Sequence, residues 1–301
     1  MLDLVVILGP TASGKTNLSV KLADSFNTEI ISGDSRQIYK NMDIGTGKDL
    51  YEYQINNKII PYHLINILKP EQNYSIHQFK KDFYSVYKEI LKKNKFPILC
   101  GGSGLYLESI LLNYQIPNVP PDNKLRSRLQ NESLNSLQNK LKKIDSSIYD
   151  TKYHITKRRI IRSIEVLNQD KMKNDINLYS SINNYCVLGI KTDRDMLLKR
   201  IKKRLNERLE NGMIDEVEQL IKKGITLDRL KYFGLEYKFL GEYLFNNILF
   251  EDMVYKLNVA INRFSKRQMT FFRRMEKRGI KIKWINNDDL SIAKRYINFF
   301  I

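Results

Sequence analysis

Eight residues, GPTASGKT (9–16), are the first place where residue types and spacing imply chemistry. Gly9, Gly14, Lys15 and Thr16 satisfy the pattern G-x-x-x-x-G-K-[ST]. A loop of this kind turns backbone N–H groups onto an anion. Gly9, Pro10, Thr11, Ala12, Ser13 and Gly14 would make the turn, Lys15 adds a point charge, and the Thr16 hydroxyl can ligate Mg²⁺. The apolar run LVVIL (4–8) precedes the loop, and NLSVKLADSF (17–26) follows with Leu18, Leu22 and Phe26 on one helical face. Strand before and helix after aim a positive helix end at the phosphate. The loop specifies a diphosphate or triphosphate and does not specify ATP.

Two more polar loops have a similar setting. In GDSRQ (33–37), Asp34 falls just past a second strand-like run, EIIS (29–32), at the edge where open α/β sheets bind ligands. A carboxylate there can take a proton from a nucleophile or orient it, and Ser35, Arg36 and Gln37 add polar groups beside it. The alternative is that Asp34-Ser35 caps a following helix. In LCGGSGLYL (99–107) the Ser103 hydroxyl and neighbouring amides could meet a developing charge, or simply form a tight turn and N-cap.

Three basic stretches follow. KRRIIR (157–162) puts Arg158 and Arg162 on one face with Arg159 beside them. KRIKKRLNER (199–208) sets Arg200, Arg204 and Arg208 at successive i+4 steps, and RFSKRQMTFFRRMEKR (263–278) mixes seven Arg/Lys with two adjacent phenylalanines. The chain holds 51 Lys+Arg against 33 Asp+Glu in 301 residues, a net charge of +18. A field of that sign favours polyanions, although a lysine-favouring genome is an alternative source of the excess. Cys100 and Cys186 lie in apolar runs without C-x-x-C spacing, and His63, His77 and His154 form no ligand cluster, so neither a zinc site nor a disulfide framework is indicated. No run approaches 18 apolar residues, which predicts a cytoplasmic protein with no membrane partner.

The elements that must position these loops alternate. Apolar runs at 4–8, 29–32, 62–68 and 96–100 read as strands, and stretches at 14–25, from Ser75, and at 104–112 as helices. This alternation predicts an α/β fold, a parallel sheet with helices on both faces. IPNVPP (116–121) reads as a linker, and 122–170 as wholly helical, polar and basic. A strand pattern returns at NYCVLGI (184–190), followed by helices over 193–223, 234–246 and 251–278 and a strand at 280–285. The expected organisation is an α/β core from residues 1–112 and 184–301, interrupted by an all-helical insertion at 113–183.

Taken in order, GPTASGKT (9–16), DSRQIYKNMDIGTGK (34–48), YHLINI (62–67), PILCGGSGLYL (97–107), RRIIRSIEV (158–166), the 200–217 stretch and RFSKRQMTFFRR (263–274) resemble the bacterial tRNA dimethylallyltransferase (tRNA isopentenyltransferase) family over nearly the whole chain. The resemblance implies a P-loop NTPase-like core, tRNA and dimethylallyl diphosphate as substrates, Mg²⁺ as cofactor, and a monomer. The transfer would go to N6 of the adenosine 3′ of the anticodon in tRNAs reading codons that start with U. By motif position, Asp34 would accept the proton, Ser103 would lie near the reacting centre, and Arg204 would stabilise the leaving diphosphate. Asp34, Ser35, Arg36, Gln37 and Ser103 would touch the RNA loop. Arg126, Arg158, Arg159, Ile160, Ile161, Arg162 and Arg267 would grip the anticodon stem-loop, with the helical insert closing over it. The chain departs from the family pattern at Gly33 (commonly Ala), Ser103 (usually Thr), Gly47-Lys48-Asp49 (often Ala-Lys-Pro) and 233–237, where Phe-Gly-Leu-Glu-Tyr replaces the usual Ile-Gly-Tyr. Two rivals share parts of this pattern: a P-loop kinase for a small metabolite or nucleotide, and a non-catalytic RNA-binding protein with a relict loop.

Overall fold

The computed structural model describes residues 2–151, 153–169, 181–287 and 289–301, so part of the expected insertion, 170–180, lies outside the described residues. The chain divides into two compact units, one formed by 1–114 with 181–301 and the other by 115–180.

The first unit is built on a six-stranded parallel sheet. In chain order it contains β1 (Leu4–Leu8), α1 (Lys15–Ser25), β2 (Ile30–Ser32), a 3₁₀ turn (Leu50–Tyr53), the hairpin strands β3 (Gln54–Ile55) and β4 (Lys58–Ile59), β5 (Tyr62–His63), α2 (Ile76–Leu91), β6 (Ile98–Gly101) and α3 (Gly104–Leu111). Strand order is β5-β2-β6-β1 and continues through β7 (Tyr185–Lys191) and β8 (Ile282–Asn286). β1 is central and every residue of LVVIL is buried, because both of its faces are covered. Val5 and Ile7 pack with Leu18, Leu22 and Ala23 of α1, whereas Leu99 of β6 and Leu107 of α3 meet on the other face, at Gly33. The second helix begins where Ser75 and Gln78 form a reciprocal capping box.

Three sequence expectations change here. The run 62–68 is a strand only over Tyr62–His63. Leu64 and Asn66 take left-handed φ values of 60° and 57°, and the chain turns to pair with residues 37–40 instead. The stretch 193–223 is two helices, α7 (Arg194–Glu210) and α8 (Met213–Lys222), because Gly212 at φ 90° ends the first and opens the second. Beyond it come α9 (Leu227–Phe233), which periodicity did not reveal, α10 (Leu235–Leu244), the 28-residue α11 (Phe250–Lys277) and, unforeseen, α12 (Leu290–Asn298).

The second unit packs α4 (Asn123–Gln130), α5 (Leu134–Ile144) and α6 (Lys157–Gln169). Its described residues are not wholly helical, since 145–151 and 153–156 are irregular apart from turns. Side-chain oxygens of Asp122 and Ser133 cap α4 and α5. Its core is Leu125, Leu129, Leu137, Leu141, Ile160, Ile161 and Ile164.

Candidate active site

The six strands of the main sheet are parallel, so the loops leaving β1, β2 and β6 open at one sheet edge. There they line a cleft of about 590 Å³ together with residues of α7, α10 and α11.

The phosphate loop 9–16 forms its floor. Ala12 and Gly14 adopt left-handed φ values of 61° and 87°, which directs successive amides into the concavity. Gly14 is required twice over, by its φ and because a Cβ would stand 2.5 Å from the Asn287 side chain. Thr11, Ala12, Gly14, Lys15 and Thr16 line the cleft. Ser13 is buried behind it, and its N–H donates to Pro10 O. Lys15 donates to Pro10 O at 2.8 Å. Burial lowers the Lys15 pKa from its ordinary value, and Cys100 and Asp34 nearby partly counter this.

The loops after β2 and β6 are tied to each other. Ser35 N donates to Ser103 Oγ at 3.1 Å, and the two hydroxyls lie 3.3 Å apart. Ser103 therefore holds the Asp34–Gln37 loop and does not cap α3 with its side chain. Asp34 Oδ1 accepts from Arg36 N at 2.9 Å, closing a turn over 35–38; no helix begins there, so the capping alternative fails. Gly101 has no room for a side chain, because a Cβ would overlap the Gly33 backbone. That close approach fixes the spacing of Asp34 and Ser103.

The 42–49 segment forms one wall. Glu216 of α8 accepts from the N–H groups of Asp43, Ile44 and Gly45 at 2.6, 2.8 and 3.0 Å and from Tyr237 OH at 2.7 Å. Lys48 is buried and bonded to Tyr39 O, Asp43 and Asn66. Asp49 reaches Arg204 Nη2 at 2.6 Å and Arg208 Nη2 at 3.4 Å. Both arginines line the cleft, and burial with Arg204 alongside pushes the Arg208 pKa down. Gly47 leaves the space that the Arg208 guanidinium occupies. From the opposite side Gln268 of α11 accepts from Thr11 N at 2.9 Å and donates to Gly102 O at 3.0 Å, so one side chain joins two of the three loops.

The structure thus gathers Asp34, Ser35, Arg36, Gln37, Ser103, Arg204 and the exposed Arg267 around the phosphate loop. The remaining candidates lie in the helical unit. Ile160 and Ile161 are 0% and 4% exposed and belong to its core, which corrects the expectation that they touch RNA; the i,i+1 pair packs inward between the arginines. Arg126 and Arg162 both hold the buried Glu165, Arg126 through two hydrogen bonds at 2.9 and 2.8 Å. Arg158 and Arg159 are exposed. Sequence reasoning missed Gln268, Glu216 and Glu236 as site residues. Gln268 and Glu216 stood inside quoted motifs, but their polar types gave no sign of which loop each would hold.

Among the described residues no group of His, Cys, Asp and Glu is arranged to hold a metal. Thr16, at the head of α1 and facing the cleft, fits the other kind of Mg²⁺ site, in which one protein hydroxyl joins substrate phosphates and water. Nor is any helix among them long and apolar enough to cross a membrane.

A phosphate loop, a carboxylate and two arginines at the edge of a parallel sheet define a P-loop-fold site with the chemistry to hold a phosphorylated ligand. Family comparison carries this further. The IPP transferase model matches residues 37–275 and the isopentenyl transferase model residues 2–60. The tRNA dimethylallyltransferase 1 of Parabacteroides distasonis is 46% identical over 286 residues, 94% of this chain and 92% of that protein. The protein of the same name from Azobacteroides pseudotrichonymphae is 46% identical over 98% of this chain and 97% of its own. Among solved structures, the tRNA isopentenylpyrophosphate transferase of Bacillus halodurans superposes with a TM-score of 0.69 at 30% identity, covering 100% of this chain and 95% of that one. The Staphylococcus epidermidis enzyme gives 0.69 at 32%, covering 99% of each. A eukaryotic dimethylallyltransferase acting on tRNA shares the fold, with a TM-score of 0.78 at 24% identity over 99% of this chain and 78% of its own. The chain belongs to the IPP transferase family, the tRNA-modifying prenyltransferases.

Proposed function

We propose that the enzyme transfers the dimethylallyl group of dimethylallyl diphosphate to N6 of the adenosine directly 3′ of the anticodon, in tRNAs that read codons beginning with U. The observation that supports this most is the single cleft holding two chemistries: a phosphate loop with Lys15 and Arg204, and the Asp34–Ser103 loop pair. A kinase reading accounts for the first alone, and a relict RNA-binding module for neither.

In this reading the loop amides, Lys15 and Arg204 bind the diphosphate, and Arg208 lies one turn along the same helix. The allylic C–O bond breaks and its electron pair leaves with the diphosphate, so the cations act where charge develops. The N6 lone pair, delocalised into the ring, attacks the same carbon and must be held in line. Asp34 takes one N6 proton, completing a substitution that yields a secondary amine, diphosphate and a proton. Ser103 and Ser35 fix the loop that carries Asp34. Thr16 would hold Mg²⁺, which when bound adds charge to stabilise the leaving group. The base must leave its stack to reach Asp34, and the exposed Arg158, Arg159 and Arg267 offer phosphate contacts in the anticodon arm.

The test is single-turnover transfer from labelled dimethylallyl diphosphate to unmodified tRNA with Mg²⁺, ATP being supplied in a parallel reaction. Label should appear as N6-isopentenyladenosine after digestion. Asp34→Ala should reduce the rate about 10²–10⁴-fold while RNA affinity holds. ATP turnover without labelled RNA would mean that the loop serves a kinase.

A further inference from the structure

Residues 233–237 bring a further carboxylate into the cleft, beside those of Asp34 and Glu52. Glu236 sits in the first turn of α10, just after Gly234, whose φ of 131° sets the entry of that helix. It lines the cleft near Thr11, Ala12, Arg204 and Arg208. A methyl group on Gly234 would stand 3.9 Å from Glu236 Oε2 and 3.8 Å from Arg36 Nε, so the carboxylate and that guanidinium flank the same glycine. Among the described residues, however, no lysine or arginine comes within 4.0 Å of its oxygens. Burial raises the Glu236 pKa above its ordinary value, against the pull of Arg208 and Arg204 and with the help of Asp34. A half-buried carboxylate that accepts from its own amide, stands among cations and pairs with none of them keeps lone pairs open to N–H groups that a ligand supplies. An acid placed only to complement the α10 dipole could equally point to solvent.

We propose that Glu236 is a second acceptor for the exocyclic amine of the target adenine, holding one N6–H while Asp34 takes the other. This rests on the reading of Asp34 given above. The amine carries two hydrogens, and only one leaves. As the N6–carbon bond forms and the carbon–oxygen bond breaks, nitrogen gains positive charge, and both N–H groups become stronger donors. The hydrogen bond to Glu236 therefore tightens in the transition state and persists in the secondary amine product, while the electron pair leaves on the diphosphate and the proton on Asp34.

The test uses the full-length chain, labelled dimethylallyl diphosphate and unmodified tRNA in single turnover, comparing wild type, Asp34→Ala, Glu236→Gln and Glu236→Ala. Glutamine keeps the shape and a neutral oxygen. We expect the maximal rate to fall about 10-fold for Glu236→Gln and about 10²-fold for Glu236→Ala, with tRNA half-saturation changed less than about 3-fold. Asp34, Arg36, Arg204 and Arg208 are the charged groups that face Glu236. Activity of the wild type should fall as pH drops through the raised Glu236 ionisation, and in Glu236→Gln that acid limb should move to lower pH. Wild-type maximal rates in both variants with an unmoved acid limb, or a loss confined to tRNA half-saturation, overturn the proposal. If Glu236→Ala fails to fold, Glu236→Gln decides alone. If wild type transfers no label, or Asp34→Ala keeps its rate, the underlying reading has failed and takes this proposal with it.

Discussion

Lys15 shows how a single residue is tuned by its surroundings. Its ammonium is tethered to Pro10 O and its pKa is held below the ordinary lysine value by burial. A lysine is useful to a leaving diphosphate only while charged. The free enzyme should therefore lose kcat/KM as pH rises through that lowered value, and be fully competent below it. Lys15→Met should cost about 10²–10³-fold in transfer rate and abolish this alkaline limb. A pH–rate profile of kcat/KM for both proteins checks this; an alkaline limb that survives in the variant would assign it to another group. The neighbouring Arg208 illustrates a different constraint, since Gly47 must remain glycine for the guanidinium to fit.

At the scale of elements, the catalytic wall depends on a residue outside the cleft. Glu216 gathers three backbone N–H groups and the Tyr237 hydroxyl, and so clamps the 42–47 segment to α8 and α10. Glu216→Ala leaves those donors without their charged acceptor. We expect a loss of roughly 2–4 kcal/mol in unfolding free energy and a rise in KM for the diphosphate, measured by urea denaturation and steady-state kinetics. Contacts of this kind show what the sequence can and cannot reveal. LVVIL, EIIS and the phosphate loop were legible because a buried strand and a glycine-lysine turn are local patterns. The strand expected over 62–68 was cut short by left-handed Leu64 and Asn66, whose conformation is held by long-range partners, Asn66 accepting from Lys48 Nζ at 2.6 Å. Asp34 and Ser103 could be nominated from their loops, whereas their link through Ser35 is a tertiary fact. Ile160 and Ile161 were misread because an arginine-rich run hid the apolar face of an amphipathic helix.

For the molecule as a whole, acid is the condition most revealing of how it is held together. At the sheet edge remote from the cleft, Glu29 is 4% exposed and bonds His63 at 2.8 Å and Lys93 at 2.7 Å. Burial acts to raise its pKa, but the hydrogen bonds from Lys93 and His63 prevail and hold it below the ordinary 4.5. Glu165 of the helical unit is likewise held low: burial opposes, and Arg126, Arg162 and the Asp122 amide outweigh it. A depressed carboxyl contributes stability that is complete above its unfolded pKa and is lost as pH falls through the folded value. Both units should therefore hold their stability at neutral pH and lose it below about pH 4.5. Glu29→Gln should flatten that acid loss in the α/β unit while costing roughly 1–3 kcal/mol at pH 7. Thermal melting across pH 3–7 would show it, and an acid profile identical to wild type would exclude Glu29 as a contributor.

Gln268 has a consequence for the order of events. Its amide ties α11, whose outer face carries Arg263, Lys266 and Arg267, to Thr11 of the phosphate loop and to Gly102 beside Ser103. A polyanion settling on that helix and a diphosphate settling in that loop therefore act on one shared hydrogen-bonded joint. Thermodynamic linkage then requires that whatever factor the nucleic acid applies to the affinity for the small donor, the donor returns to the nucleic acid in equal measure.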